Sequence, residues 1–204
     1  MDITPLGILL GLIGGVGGTA LTEVFRLRKR PRLSLVVTEH LYVTRVGGNP
    51  AAFARLEVRN APGKEAATGV TVRIEGVASE SEDHRESLKF LESWQLAWAN
   101  DDRGNTNVPP KAKVIASDSS LKVDLAHLNT VAPGLLIVDI RPQPEEGNYM
   151  NRLGPGTFQF ELVVGGDNAS ARRFRIALVH DGQPWDGAAD TAVERVRLSA
   201  IQGT

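Results

Sequence analysis

The sequence predicts an all-β fold, an antiparallel β-sandwich, preceded by one N-terminal transmembrane helix. The first observation behind this prediction is a run of twenty residues without a charge, from Ile3 to Thr22. The second is a series of short segments after it in which apolar and polar residues alternate, as in strands that are buried on one face. The predicted organisation is a transmembrane helix at residues 1–25, a basic juxtamembrane segment at 26–32 and a β-sandwich domain at 33–204.

The uncharged run has the length of one membrane crossing. A helix rises about 1.5 Å per residue, so twenty residues span roughly the 30 Å hydrocarbon core of a bilayer. Basic residues follow its C-terminal end, whereas the other flank carries Asp2 and the amino terminus. The positive-inside rule therefore places the N-terminus outside the cell membrane and the domain in the cytoplasm. The membrane-flanking basic residues are Arg26, Arg28, Lys29, Arg30 and Arg32.

A cleaved secretory signal is the alternative interpretation of this run. Such a signal needs a basic start before its apolar region, and the sequence MDITP supplies none. If the run were nevertheless a signal, or if the topology were reversed, the domain would be an exported envelope or adhesin-like module.

Small residues recur every four positions in the uncharged run, at Gly7, Gly11 and Gly15. They share one face of a helix, and small residues at this spacing let two membrane helices approach closely. The pattern predicts self-association through this face. The alternative is that small residues are simply common in membrane helices.

A glycine-rich run within the same stretch, GGVGGT at residues 14–19, resembles the phosphate loop of the deviant Walker ATPases. The lysine that would reach the phosphates is replaced by Gly18. We therefore expect no nucleotide and no other cofactor.

Composition excludes several classes of function. The chain has 23 basic and 24 acidic residues. Five of the basic and two of the acidic residues lie in residues 1–32, so the domain itself has 18 basic and 22 acidic residues. A mildly acidic domain is poorly suited to a phosphate backbone, so no nucleic-acid partner is expected. The chain contains no cysteine, which excludes disulfides, cysteine nucleophiles and cysteine-ligated metals. Membrane lipid is the expected partner of the basic segment.

Period-two alternation predicts the strands in order. It begins at Leu33, Leu35 and Val37, and a turn is predicted at GGNP, residues 47–50. The segment after residue 80 is compatible with a helical turn at 83–90 and with a strand through Trp94, Leu96 and Trp98. We favour the strand, in which one of the tryptophans fills the core between the sheets as a plug. Further strands are predicted at 53–60, 70–74, 113–116, 121–125, 135–140, 157–164 and 172–179, with a last strand or helical end near 193–198.

Two groups of residues carry a family resemblance. Leu56, Val58, Asn60, Gly63, Ala66, Val70, Val72 and Ile74 look like the opening strands of bacterial immunoglobulin-like or adhesin-like β-sandwich modules. Leu153, Gly154, Pro155, Gly156, Phe158 and Phe160 are similar to their L-x-P-G-x-Y-x-L element, although Phe158 replaces the tyrosine. The resemblance covers about forty residues. It implies a fold and carries no catalytic residues.

No motif predicts a reaction. His40, His84, His127 and His180 have no partner at metal-ligand spacing, so we interpret each as an ordinary surface or loop residue. Residues 101–107 contain calcium-type ligands without the terminal glutamate of an EF-hand loop, and Asp181, Asp186 and Asp190 around Trp185 could ring a small site. Turn chemistry explains both loops without a ligand.

We therefore expect no catalytic, metal or cofactor-binding residues and no enzyme. The expected function is that of a protein-interaction or scaffolding module with an unknown protein partner. An enzyme would require the 101–107 or 181–190 loops to converge on a pocket.

Overall fold

The alternating segments form the strands of two antiparallel sheets. We describe them from a computed structural model, which describes residues 23–38, 40–80, 85–88, 91, 93–99, 101, 108–142 and 151–201. Within these residues the fold is all-β with two helical segments, and the two facing sheets are consistent with a β-sandwich. Residues 23–29 form the first helical segment, α1.

Sheet 1 has the strand order β1-β3-β8-β9-β11, and β2 pairs with β3 on the same edge as β1. The alternation that begins at Leu33 divides into two strands before the turn at residues 47–50, and these strands pair with different halves of β3. The strands are β1 (Leu33–Val37), β2 (Tyr42–Val46), β3 (Asn49–Asn60), β8 (Ser120–Asn129), β9 (Leu136–Val138) and β11 (Arg152–Leu153).

Sheet 2 has the order β10-β6-β4-β12-β13-β14, with β5 and β7 also paired to β4. The strands predicted at 157–164 and 172–179 are confirmed, and they form an antiparallel hairpin of β12 and β13. The strands are β4 (Ala67–Glu80), β5 (Arg85–Ser87), β6 (Gln95–Leu96), β7 (Lys113–Ile115), β10 (Ile140–Arg141), β12 (Gly156–Gly165), β13 (Arg172–His180) and β14 (Val196–Ile201). Helix α2 (Ala189–Arg195) precedes β14, so the predicted end of the domain is both a helix and a strand.

The core lies between the sheets and follows the predicted alternation. Val70, Val72 and Ile74 of β4 are fully buried, as are Leu56 and Val58 of β3. Each buried aliphatic side chain of this kind contributes about 1.5–3 kcal/mol relative to an exposed one. Packing of these side chains therefore holds the sheets face to face.

The chain passes between the sheets at two points in its middle part. Leu96 belongs to sheet 2, whereas Trp98 forms a bridge with Val123 of sheet 1. Trp98 is 3% exposed and lies in the core, which confirms the predicted tryptophan plug. The chain returns from sheet 1 to sheet 2 around Asp139, whose amide donates to Leu125 and whose carbonyl accepts from Ala97.

The outer face of sheet 2 is charged. Arg173 binds Glu75 in a bidentate pair at 2.5 and 3.1 Å, and Arg175 binds Glu161 at 3.0 Å. These side chains are well exposed, as expected of a face that contacts solvent.

No helix among the described residues is long and apolar enough to span a membrane. The predicted transmembrane run, Ile3 to Thr22, lies outside these residues, and so do Gly7, Gly11 and Gly15. The predicted boundaries at residues 25 and 32 stay predictions.

Candidate functional site

A surface cleft of about 420 Å³ lies between α1 and the loop that joins β12 to β13. Its volume falls within the range of small-molecule sites, roughly 300–1,000 Å³. We call it the helix–loop cleft. It is lined by Arg26, Arg30, Glu65, Asp167, Asn168, Ala169 and Ser170.

Hydrogen bonds to the backbone of α1 and of Arg32 fix this segment to the sandwich at one wall of the cleft. The amide of Glu65 donates to the carbonyl of Lys29 at 2.7 Å, and Lys64 Nζ donates to the carbonyl of Arg28 at 2.5 Å. The buried side chain of Asn60 accepts from the amide of Arg32 at 3.2 Å and donates to the carbonyl of Glu65 at 2.7 Å. The last carbonyls of the helix, which lack intrahelical partners, are thus satisfied by the domain.

The opposite wall is fixed in the same way. Asn168 uses both ends of its amide: Nδ2 donates to the carbonyl of Ala66, and Oδ1 accepts from the amide of Thr68, both at 2.9 Å. The amide of Asp167 donates to the carbonyl of Thr68 at 2.8 Å. Gly69 has a φ of +64°, and a Cβ there would overlap the carboxyl group of Asp167. The side chain of Asp167 therefore packs directly against β4, at a position whose positive φ favours glycine.

The charged side chains of the cleft are not neutralised by one another. Arg26 and Arg30 carry positive charge into it, and Glu65 and Asp167 carry negative charge. Among the residues that the structure describes, none of these four side chains belongs to an ion pair. The cleft thus presents two cations and two anions to solvent.

A second cluster of polar residues is buried on the outer face of sheet 1. Arg55 and Asp124 are opposite each other on β3 and β8, and Arg55 Nε donates to Asp124 at 2.7 Å. The guanidinium of Arg55 lies 3.6 Å from the ring centroid of Tyr42. His127 stacks on Phe53 with ring centroids 4.8 Å apart, and its Nδ1 lies 3.0 and 3.1 Å from the oxygens of Asp139.

A β-bulge brings these residues to one face. Arg55 pairs with Asp124 and Ala54 with Ala126, so Leu125 is the extra residue on β8. Asp124 and His127 are three positions apart and would point to opposite faces of a regular strand; the bulge turns both outward. The sequence-based interpretation of His127 as an ordinary surface or loop residue is therefore wrong, since it is 9% exposed and bound to a carboxylate. His180 is also buried, at 1% exposure, whereas His40 is exposed as predicted.

The carboxylates of the 181–190 loop are bound locally and do not converge. The hydrogen bond from the hydroxyl of Thr191 holds the pKa of Asp186 below its usual value, with a smaller effect from the amide of Ala188. Burial raises the pKa of Asp181, but hydrogen bonds from Arg195 and from the amide of Gln183 outweigh it and lower the pKa overall. Trp185 is buried and donates to the carbonyl of Ala188 at 2.7 Å. The loop is a structural turn around a buried tryptophan.

The other predicted chemical loop, at 101–107, lies outside the described residues except for Asp101, which accepts a hydrogen bond from Lys113. In the described part of the chain, no group of three or more histidines and acidic residues is arranged to hold a metal ion. Of the membrane-flanking residues, the structure brings Arg26 and Arg30 into the cleft, and it uses Arg28, Lys29 and Arg32 through their backbone.

No protein-family model matches the chain, and no curated protein shows significant similarity to it.

Proposed function

We propose that this protein is a single-pass membrane protein whose β-sandwich is held at the cytoplasmic surface and serves as a non-enzymatic interaction module. The observation that carries the proposal is the junction between α1 and the domain. Val24, Phe25 and Leu27 of α1 are 47%, 60% and 49% exposed, directly after the uncharged run. Large apolar side chains on a helix beside such a run are favoured by contact with lipid.

The junction also determines how the domain would be held. Four hydrogen bonds join α1 and Arg32 to the loop at 60–65, with no flexible linker between them. A membrane helix continuous with α1 would therefore fix the orientation of the sandwich relative to the bilayer. This arrangement suits a scaffold that presents one surface to a partner.

The proposed partner surface is the edge of sheet 2. Strand β14 pairs with β13 on one side and is the terminal strand in the described sheet order. Edge strands bind extended peptides by adding a strand, with affinity from main-chain hydrogen bonds. The outer face of the same sheet is less suitable, because its arginines are paired with glutamates of the domain itself.

The proposal assigns no catalytic reaction to the protein. The His127–Asp139 pair resembles half of an acid–base site, but no hydroxyl or amine of a described residue is hydrogen-bonded to His127. A histidine needs an adjacent nucleophile or substrate position to act as a base. We therefore assign the pair a structural role.

The natural lack of cysteine allows a direct test of topology. Val131 is 68% exposed, so a Val131→Cys variant reports on the domain, and Asp2→Cys reports on the N-terminus. We expect an impermeant maleimide to label Asp2→Cys in intact cells and Val131→Cys only after permeabilisation. The opposite pattern would establish the exported alternative, and recovery of the full chain in the soluble fraction would refute the membrane proposal.

Self-association is tested within the same proposal. Gly11→Leu places a large side chain on the predicted small-residue face, and we expect it to weaken crosslinking between copies while residues 33–204 stay folded. Ile8→Leu, which keeps a large apolar side chain within the same run, is the control. Unchanged crosslinking of Gly11→Leu would remove helix pairing from the proposal.

A further inference from the structure

We infer that the helix–loop cleft binds the headgroup of a zwitterionic aminophospholipid, with the phosphate at Arg26 and Arg30 and the primary ammonium at Glu65 and Asp167. The inference rests on the proposed membrane attachment. It names a ligand for a cleft whose four charged side chains form no ion pairs within the described structure.

The depth of the cleft relative to the bilayer fits a headgroup. Arg26 follows Thr22, the end of the uncharged run, by four residues and Arg30 by eight. On a helical path these distances are about 6 and 12 Å. The headgroup layer on each side of the hydrocarbon core is roughly 5–8 Å thick. Arg26 would therefore lie within this layer and Arg30 a few ångströms beyond it, a gap that a long arginine side chain bridges by reaching back to a phosphate.

The two arginines point in a common direction along α1. Arg30 directly follows the helix, four residues after Arg26, and its amide donates to the carbonyl of Arg26 at 3.2 Å, so the two residues lie on the same side of this segment. Guanidinium groups match phosphate oxygens in a bidentate manner, which makes paired arginines suitable for a phosphodiester.

The carboxylates distinguish a zwitterion from an anion. An anionic headgroup without an ammonium would place its negative charge beside Glu65 and Asp167 with nothing to compensate them. A phosphate joined to an ammonium by a two-carbon linker complements both halves of the cleft.

The site is built before the ligand arrives. Asn168 fixes one wall through two hydrogen bonds, and Lys29 and Glu65 fix the other through their backbone. The side chains that would contact the headgroup are not used by these bonds. Binding would thus require ordering of the four charged side chains but not of the backbone that carries them.

The test uses the full chain, purified in a neutral detergent, and water-soluble short-chain lipids, with binding measured by calorimetry. We expect dihexanoyl phosphatidylethanolamine to bind about tenfold more tightly than the phosphatidylglycerol of the same chain length. We expect phosphatidylcholine, whose quaternary nitrogen has no hydrogen to donate, to bind more weakly than phosphatidylethanolamine. Equal affinity for the three lipids would overturn the inference.

Matched variants separate recognition from general charge. Arg26→Gln with Arg30→Gln should abolish binding, whereas Arg28→Gln with Lys29→Gln, which removes the same charge from the same segment but outside the cleft, should keep it. Glu65→Gln with Asp167→Asn should equalise phosphatidylethanolamine and phosphatidylglycerol. If the two basic double variants lost the same amount of lipid affinity, the lipid would bind a nonspecific basic surface, and the proposed site would be refuted. Tryptophan fluorescence of each variant checks that the sandwich is folded.

The outcome is distinguishable from that of the proposed function. The short-chain lipid assay measures binding at the cleft and does not depend on whether the protein inserts into a membrane. Cell fractionation measures membrane insertion and does not depend on the cleft. A chain that is soluble in cells yet selects phosphatidylethanolamine would refute the membrane role alone, and an inserted chain with no lipid preference would refute the cleft alone. If free O-phosphoethanolamine bound as tightly as the lipid, the assignment to lipid would be wrong, because the glycerol and acyl groups would then add nothing beside exposed Phe25.

Discussion

Removing one charge from the buried Arg55–Asp124 pair should destabilise the sandwich far more than removing both. The two side chains are 9% and 3% exposed and are joined by a 2.7 Å hydrogen bond. Arg55→Met leaves the carboxylate of Asp124 in a dehydrated position beside a neutral side chain. Breaking a buried pair by removing one partner costs about 3–5 kcal/mol, a large part of the roughly 5–15 kcal/mol by which ordinary domains are stable.

The two single variants should differ in a definite order. Asp124→Leu leaves Arg55 without this carboxylate, but its guanidinium still lies 3.6 Å from the ring centroid of half-exposed Tyr42. Such a cation–π contact contributes about 0.5–2 kcal/mol and reduces the loss. Arg55→Met loses the ion pair and the cation–π contact together, so we expect it to be the less stable of the two.

The double variant Arg55→Met with Asp124→Leu should recover part of the stability, because neither charge of the pair is then buried without the other. We expect a coupling energy of about 2–3 kcal/mol in a double-mutant cycle. Urea unfolding of the full chain in a neutral detergent measures it, with Trp94, Trp98 and Trp185 of the sandwich as fluorescent probes.

The exposed pair of Arg175 and Glu161 is a matched control. It also joins directly opposite residues of adjacent antiparallel strands, at 3.0 Å, but its side chains are 59% and 37% exposed. Solvent screening should reduce its coupling energy below about 1 kcal/mol. Additive losses at Arg55 and Asp124, or equal coupling energies in the two pairs, would refute the argument from burial.

Three further predictions follow from the described contacts. His127 in its neutral form should carry its proton on Nδ1, which faces both oxygens of Asp139; two-bond ¹⁵N–¹H correlation spectra check this, and a proton on Nε2 would contradict it. Thr191→Val should raise the pKa of Asp186 toward its ordinary value of 3.8 in a ¹³C NMR titration, because the Thr191 hydroxyl is the main cause of the lowered pKa. The pKa of Asp186 is lower in the folded than in the unfolded protein, so the hydrogen bond from Thr191 stabilises the fold at pH values above the ordinary pKa. This stabilisation is lost as the pH falls through the folded pKa. If Asp186 titrated at the same pH in Thr191→Val as in the natural protein, Thr191 would not be the cause. Gly69→Ala should reduce binding of phosphatidylethanolamine, because the added Cβ displaces the carboxyl group of Asp167. Gly47 is the control: it has a comparable positive φ but open space around it, so Gly47→Ala should leave binding unchanged. Equal effects of the two substitutions on binding would refute the steric argument.

The strands and turns could be predicted because their causes are local. Val70, Val72 and Ile74 alternate with polar residues over a few positions, and that alternation alone decides which face is buried. Gly47 and Gly48 both have positive φ, at 56° and 85°, as a two-residue hairpin turn of this handedness requires. Such features need no information from distant parts of the chain.

The buried cluster of sheet 1 could not be predicted, because it depends on one inserted residue. The bulge at Leu125 reverses the expected side for everything that follows it on β8, so His127 faces Phe53 instead of the core. Period-two reasoning assumes an uninterrupted strand and assigns one of Asp124 and His127 to the wrong face. The signal present in the sequence is the apolar pair Leu125-Ala126 between two polar residues, where regular alternation would place one apolar residue.

The helix–loop cleft escaped prediction for a different reason. Arg26 and Asp167 are 141 positions apart, and their proximity depends on where β1, β4 and β12 bring their ends. The sequence did identify Arg26 and Arg30 as membrane-flanking charges, but it gave no reason to associate them with Glu65 or Asp167. The two hydrogen bonds of Asn168, with Thr68 of β4 and with Ala66 before that strand, depend on the tertiary fold in the same way.

A lipid in the cleft would act on the domain as well as on the anchor, because its two ends contact different elements. The phosphate would bind α1 and the ammonium would bind the loops at residues 65 and 167, so the bound headgroup would connect the helix to the sandwich. A ligand that binds the folded state stabilises it by RT ln(1 + [L]/Kd), and lipid in the headgroup layer is present at a high local concentration. Even weak intrinsic binding would therefore hold α1 against the domain. Loss of the cleft charges should remove this added stabilisation without releasing the protein from the membrane, while the hydrogen bonds between the α1 segment and the loop at 60–65 continue to orient the sandwich.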